Sequence, residues 1–145
     1  MPSIDADARL FTPSVPLPDS EDAVRSTVLF GVWERPWNWQ PSFGEGRQVL
    51  LRRSGVDVVE WLVEVTEVVA VPFESADAFR DMIAQRWDPT VVGVHGRSPA
   101  PGFGVAWRSA PVRHLGVARP EGAGSLPEWC AFGELDERWQ AALTR

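Results

Sequence analysis

Three tryptophans within seven residues form the part of the sequence best suited to binding chemistry. They are Trp33, Trp37 and Trp39, and Pro36 stands among them. Proline fixes its own φ, lacks an N–H and disfavours helix at the preceding Arg35, so this stretch is predicted to be a loop. Indole rings beside a guanidinium are the combination that stacks a base and holds its phosphate. The same rings can instead close one end of the domain's own core, and the sequence leaves both interpretations open.

The cationic side chains are distributed unevenly along the chain. All 14 are arginine, a bias typical of a high-GC genome that we take to be bacterial. Each arginine carries a planar guanidinium group that can pair bidentately with phosphate. Residues 35–53 contain four arginines against one acid, and residues 97–119 contain four arginines and no acid. The net charge of −6 argues against a general DNA-coating protein. If folding brings the two arginine segments together, however, an anionic partner has a place to dock.

Catalytic and metal chemistry have weaker support in the sequence. His95 and His114 are nineteen residues apart and Cys130 has no second sulfur, so we expect neither a metal nor another cofactor. A chain without lysine excludes a Walker-type nucleotide site. Cys130 and His114 can be combined into a nucleophile pair, but the apolar neighbours of Cys130 are more typical of an inert buried thiol. His95 ends a predicted strand, where a surface histidine and a functional one are both open interpretations.

Length and composition indicate one domain in a reducing compartment. A chain of 145 residues with 44% hydrophobic content is ordinary for a globular protein, and one cysteine permits no intrachain disulfide. The start lacks a secretory signal, and no apolar run approaches the roughly 18–20 residues of a membrane span, so we expect a cytoplasmic protein without a membrane partner. Residues 1–24, with four prolines and five acids, are predicted to be a flexible acidic leader to a single domain over residues 25–145.

Hydrophobic periodicity predicts the element order β-β-β-α-β-β-β-α. In the longest strand, Val59, Trp61, Val63 and Val65 are predicted to share one face, and Pro111 is predicted to interrupt the last strands. Short connections favour antiparallel pairing. The predicted fold is therefore α+β, a small mixed, mostly antiparallel curved sheet or pseudo-barrel with two flanking helices. Strands are predicted over residues 27–33, 48–53, 58–71, 91–94, 103–107 and 112–117.

The two helices are predicted from capping and from apolar stripes. Ser75 is the expected N-cap of the first, whose stripe ends at Trp87, and the second is predicted over residues 135–143. Trp61, Trp87 and Trp139 fall on apolar stripes and are predicted to belong to the core.

Four stretches together resemble the PUA-like superfamily, particularly its EVE and ASCH branches. They are a strand over residues 28–33 that leads into an aromatic loop, a turn and strand over residues 43–51, a strand over residues 61–68, and a late strand over residues 104–112. The resemblance implies a compact pseudo-barrel with a cleft that accepts a nucleobase, often a modified one. It further implies that the cleft is lined by Trp33, Arg35, Trp37, Trp39, Arg47 and Trp107, with Arg108 as a phosphate contact.

The sequence thus predicts a non-catalytic module that binds a nucleobase or nucleotide in RNA or DNA. One alternative is a protein-interaction domain, because tryptophan and arginine are the residues most enriched at binding hot spots. Another is an enzyme that acts on a small metabolite through His95, His114 or Cys130. The predicted ligand-binding residues are Trp33, Arg35, Trp37, Trp39, Phe43, Arg47, Arg52, His95, Trp107 and Arg108.

Overall fold

In the part of the chain that the structure describes, the secondary structure comprises six strands and three short helices. The computed structural model describes residues 3–13, 17–33, 44–87, 102–127 and 129–145. A 3₁₀ turn over Phe132–Glu134 precedes the last helix. The strands and helices, in chain order, are β1 (Arg9–Phe11), α1 (Glu21–Ser26), β2 (Val28–Trp33), β3 (Gln48–Arg52), β4 (Val58–Phe73), α2 (Ala76–Arg86), β5 (Gly102–Ala118), β6 (Trp129–Ala131) and α3 (Glu137–Leu143).

The strands form one mixed sheet in the order β2-β5-β4-β3-β1-β6. β4 and β5 pair antiparallel along almost their whole length, from Val58 opposite Ala118 to Phe73 opposite Gly102. β1 runs parallel to β3, and the other pairs are antiparallel. The α+β class and the mostly antiparallel sheet predicted from the sequence are confirmed. Among the described strands the sheet is open, with β2 and β6 at its edges.

Register shifts in β4 change which residues share a face. One shift lies between Val59 and Trp61. An extra residue in one strand turns the side chains before it to the opposite face. Val59 consequently packs with Leu62 in one core cluster, whereas Trp61 packs in the other. The prediction that Val59 shares the face of Trp61 was therefore wrong.

Pro111 lies within β5 and does not interrupt it. The residue stands opposite Val63, directly beside a second register shift between Leu62 and Val63. Proline cannot donate a ladder hydrogen bond and is tolerated in sheets where the ladder is locally irregular. The two late strands predicted from the sequence are consequently one strand of 17 residues.

Among the described residues, the hydrophobic core forms two clusters. In one, Val24 of α1 packs with residues of the central strands, among them Trp61 and Trp107. In the other, Trp139 and Leu143 of α3 pack with Leu10 of β1 and further strand residues. The helix that begins after Ser75 has the predicted cap, because the Ser75 hydroxyl accepts a hydrogen bond from the N–H of Ala78 at 3.1 Å.

The N-terminal residues take part in the sheet, which differs from the leader predicted over residues 1–24. β1 pairs with β3 and β6, and its central Leu10 is fully buried. α1 also falls in this range and adds a third helix to the two predicted. A three-residue strand and a six-residue helix are too short to show a periodicity among surrounding prolines and acids. The strand predicted over residues 91–94 lies outside the described residues.

Gly104 packs so closely against Phe79 that it leaves no room for a side chain. A Cβ at this position would overlap the ring of Phe79, which is fully buried where α2 covers the sheet. We expect Gly104→Ala to lower the free energy of unfolding by about 1–3 kcal/mol, because the buried ring has no room to retreat. Urea denaturation followed by circular dichroism measures the change. Gly124→Ala is the matched control and should be nearly neutral, since no atom lies within 4 Å of the added Cβ. Equal stabilities of the two variants would contradict this packing.

Candidate functional site

Half of the predicted ligand-binding residues lie outside the described part of the chain. Trp33 is described through its backbone, as the last residue of β2. The positions outside the described residues are Arg35, Trp37, Trp39, Phe43 and His95.

Trp107 is a core residue in this structure. Its side chain is fully buried, and its ring meets Phe11 edge to face with the centroids 4.8 Å apart. A ring without exposed surface offers no face on which a base can stack. Trp107 therefore contributes to the core rather than to an accessible surface.

Two of the predicted arginines hold the fold together. Arg52 donates to the carbonyl of Val56 at 3.1 Å and to the carboxylate of Asp57 at 3.2 Å, and only 13% of its side chain is exposed. Arg108 donates two hydrogen bonds to the carbonyl of Arg25, at 2.7 and 3.2 Å. That carbonyl belongs to the last turn of α1, where unpaired carbonyls favour a cation. Both arginines therefore have a structural role.

Arg47 is placed differently, at the surface before β3. Its Nη1 lies 2.8 Å from Asp7, and about half of each side chain is exposed. Exposed ion pairs contribute about 0–1 kcal/mol, so an incoming phosphate can compete for this guanidinium. Arg47 is thus the described arginine of the predicted set that is most available to a ligand.

The two arginine-rich segments of the sequence meet in space. Asp57 lies 3.2 Å from Arg52 of the first segment and 3.8 Å from Arg119 of the second. Three residues further along the chain, Glu60 lies 2.9 Å from Arg53 and 3.0 Å from Nε2 of His114. Each meeting point is built around a carboxylate that offsets part of the positive charge. The result is a mixed-charge network at the end of the sheet where β4 begins.

The opposite end of β4 holds a second set of features. Trp33, where the chain leaves β2, stands opposite Phe103, and Gly102, where the chain enters β5, stands opposite Phe73. The tryptophan-rich residues follow Trp33 directly, and the segment containing His95 ends directly before Gly102. The described residues that flank these two segments are therefore neighbours at one end of the sheet.

An open cleft of about 290 Å³ lies between α2 and β4 near that end. Its walls carry an indole, a guanidinium, an amide and apolar side chains. Val69, on the β4 wall, is four residues before the end of that strand. The lining residues are Val69, Met82, Ile83, Gln85, Arg86 and Trp87.

Glu67 lies beside the cleft and contacts two of the residues that line it. One of its carboxylate oxygens, Oε2, accepts a hydrogen bond from Nε1 of Trp87 at 3.1 Å and lies 3.6 Å from Arg86. The guanidinium of Arg86 also lies 5.7 Å from the centroid of the Trp87 ring, within cation–π range. Trp87 ends an apolar stripe and was therefore predicted to belong to the core, yet it is only half-buried. The sequence feature that indicates a surface position for Trp87 is the adjacent Arg86 at the end of α2.

A nucleophile pair of Cys130 and His114 does not form in this structure. Cys130 is on β6 and His114 on β5, with β4, β3 and β1 between them. Four strand spacings amount to roughly 19 Å along the sheet, far beyond hydrogen-bond reach.

Within the described residues, no group of three or more metal-ligating side chains could hold a metal ion. No helix in the same ranges is long and apolar enough to cross a membrane.

Cys130 is expected to be an unreactive thiol. Burial, with a smaller contribution from the nearby Glu134 carboxylate, raises the pKa of the thiol to about 11. At pH 8 the reactive thiolate is then a very small fraction of the total. Labelling by a chromogenic disulfide reagent should be on the order of a hundredfold slower in the native protein than in urea. Equal labelling rates in the two states would contradict the partly buried, protonated thiol.

The comparisons with known proteins add one solved structure. No protein-family model matches the chain, and no curated protein matches it. The chain is similar to a mutant of the ZmASCH protein from Zymomonas mobilis, over 86% of this chain and 92% of that one, with 12% sequence identity and a TM-score of 0.46.

Proposed function

We propose that this chain is a non-catalytic module that binds a nucleobase or nucleotide within single-stranded RNA or DNA. The observation that supports it most is the juxtaposition at one end of the sheet. There the strand that leads into the tryptophan-rich residues lies beside the start of β5, and the cleft lined by Arg86 and Trp87 opens on β4 nearby. Aromatic rings supply stacking, at about 1–3 kcal/mol per base, and arginines hold the backbone.

The proposal divides the binding residues into two groups. Trp33, Trp37 and Trp39 stack bases, as the resemblance implies, with Arg35 beside them. Arg47 contributes a phosphate contact, because its exposed ion pair with Asp7 is readily exchanged for one with phosphate. Arg52 and Arg108 act only by holding the strands and α1 in place.

Single-stranded nucleic acid suits these residues better than a duplex. A net charge of −6 argues against a protein that coats a duplex and neutralises many of its phosphates. Unpaired bases, in contrast, present flat faces that can be stacked on indole rings without base-specific hydrogen bonds. Affinity is therefore expected to come from stacking and a few phosphate contacts.

Intrinsic tryptophan fluorescence tests where the bases bind. Titration with short single-stranded RNA and DNA at low salt should give saturable quenching that weakens as salt is added. The double variant Trp37→Ala, Trp39→Ala should remain folded by circular dichroism and lose most of the affinity. Unchanged affinity in this variant would contradict the stacking role of the loop. Quenching by a protein partner, with none by nucleic acid, would favour the protein-interaction alternative.

A further inference from the structure

The cleft beside α2 presents three kinds of group that together suit one nucleotide. Trp87 offers an aromatic surface and Arg86 a guanidinium on its walls, and the carboxylate of Glu67 lies directly beside it, in contact with both residues. A volume of about 290 Å³ is at the small end of ligand sites, which suits a single base and its sugar. Met82 and Val69 add apolar contacts on the remaining walls.

The carboxylate of Glu67 is oriented and still has bonding capacity. Its Oε2 is held by the indole N–H of Trp87, which limits rotation of the group. Its Oε1 has no hydrogen-bond partner among the described residues, and 40% of the side chain is exposed. An ionised carboxylate only accepts hydrogen bonds, so this oxygen favours a ligand edge that carries N–H donors.

The guanidinium of Arg86 is available for a phosphate. Its ion pair with Glu67 spans 3.6 Å, and 53% of the arginine side chain is exposed. Such a pair contributes about 0–1 kcal/mol and is readily replaced by a charge-assisted contact to phosphate. Movement of Arg86 to a phosphate would also release Glu67 for the base edge.

Resting on the proposed function, we propose that this cleft, together with the Glu67 carboxylate beside it, reads guanine within the bound strand. Guanine places two adjacent N–H donors, N1–H and the 2-amino group, on its Watson–Crick edge, and a carboxylate can accept from both. Hypoxanthine retains N1–H and lacks the 2-amino group, whereas adenine has an acceptor at N1. The expected order of affinity is therefore guanosine, then inosine, then adenosine.

Calorimetric titration of oligouridine octamers tests this order. Each octamer carries one central guanosine, inosine or adenosine, and RNA and DNA-backbone versions are both measured. The wild-type protein should bind the guanosine octamer about 5- to 150-fold more tightly than the adenosine octamer, the discrimination typical of a bidentate base contact. Glu67→Gln should remove most of this preference, because the amide places N–H donors against those of guanine.

Glu64→Gln is the matched control, since Glu64 is an exposed residue of the same strand and has no ion pair in the described structure. It should retain the preference of the wild-type protein, and thermal melts should show both variants folded. Equal affinities for the three octamers, or an undiminished guanosine preference in Glu67→Gln, would overturn the guanine assignment and leave nucleic-acid binding intact. Failure of every octamer to bind the wild-type protein would instead contradict the proposed function itself.

Discussion

Trp107→Ala is expected to lower the free energy of unfolding by about 3–5 kcal/mol, the usual cost of removing a large buried aromatic side chain. Trp107 is fully enclosed in the core cluster beside α1 and meets Phe11 edge to face. Loss of the ring leaves a cavity that the surrounding strands cannot fill. Domains of this size have about 5–15 kcal/mol of stability, so the variant loses a large share of it. Urea denaturation followed by far-UV circular dichroism measures the effect.

Trp107→Phe is the matched variant, because it keeps an aromatic ring against Phe11. It should cost clearly less than the alanine change, about 1–2 kcal/mol. The comparison also separates the two interpretations of this residue. If Trp107→Ala were as stable as the wild-type protein but bound nucleic acid more weakly, Trp107 would be a ligand contact rather than a core residue.

Asp57→Asn is expected to lower the free energy of unfolding by about 2–3 kcal/mol. The carboxylate accepts hydrogen bonds from Arg52 at 3.2 Å and from the N–H of Leu126 at 3.1 Å, and it lies 3.8 Å from Arg119. Arg52 is only 13% exposed, so removal of its counter-charge leaves a poorly solvated cation. The change should also loosen the connection between β3 and the segment that follows β5.

Asp7→Asn makes the same chemical change in an exposed ion pair. Asp7 lies 2.8 Å from Arg47, with 58% of its side chain exposed. It should cost no more than about 1 kcal/mol, because solvent already screens that pair. Urea denaturation measures both variants. If Asp7→Asn lost as much free energy of unfolding as Asp57→Asn, burial would not determine how much these two ion pairs contribute to stability.

The strands and the α2 cap were predictable because the underlying signals are local. β2, β3 and α2 begin and end within two residues of their predicted bounds, since alternation, helical periodicity and the Ser75 cap depend only on neighbours in the chain. The face of Val59 was not predictable, because a register shift depends on the partner strand. The pairing of β1 with β3 is likewise a long-range contact, and a strand of only three residues shows no pattern that would predict it.

The candidate site was predicted less completely than the fold, for a related reason. Residue type identified arginine and tryptophan as the side chains suited to a nucleotide, but burial decides which of them a ligand can reach. Trp107 was predicted to line the ligand cleft and Trp87 to lie in the core, yet Trp107 is enclosed and Trp87 borders a cleft. Arg52 and Arg108 were indistinguishable in sequence from ligand contacts until their partners, Asp57 and the carbonyl of Arg25, were known.

Fluorescence anisotropy of dye-labelled, mixed-sequence single-stranded octanucleotides is the most direct test of the central claim. Purified wild-type protein should raise the anisotropy of RNA or DNA strands saturably at about 50 mM salt, and the affinity should fall as salt is raised to about 200 mM. Unlabelled strand of the same sequence should displace the probe. Unchanged anisotropy for both strands at about 100 μM of protein that circular dichroism shows to be folded, well within the range of ordinary non-specific binding, would contradict the account.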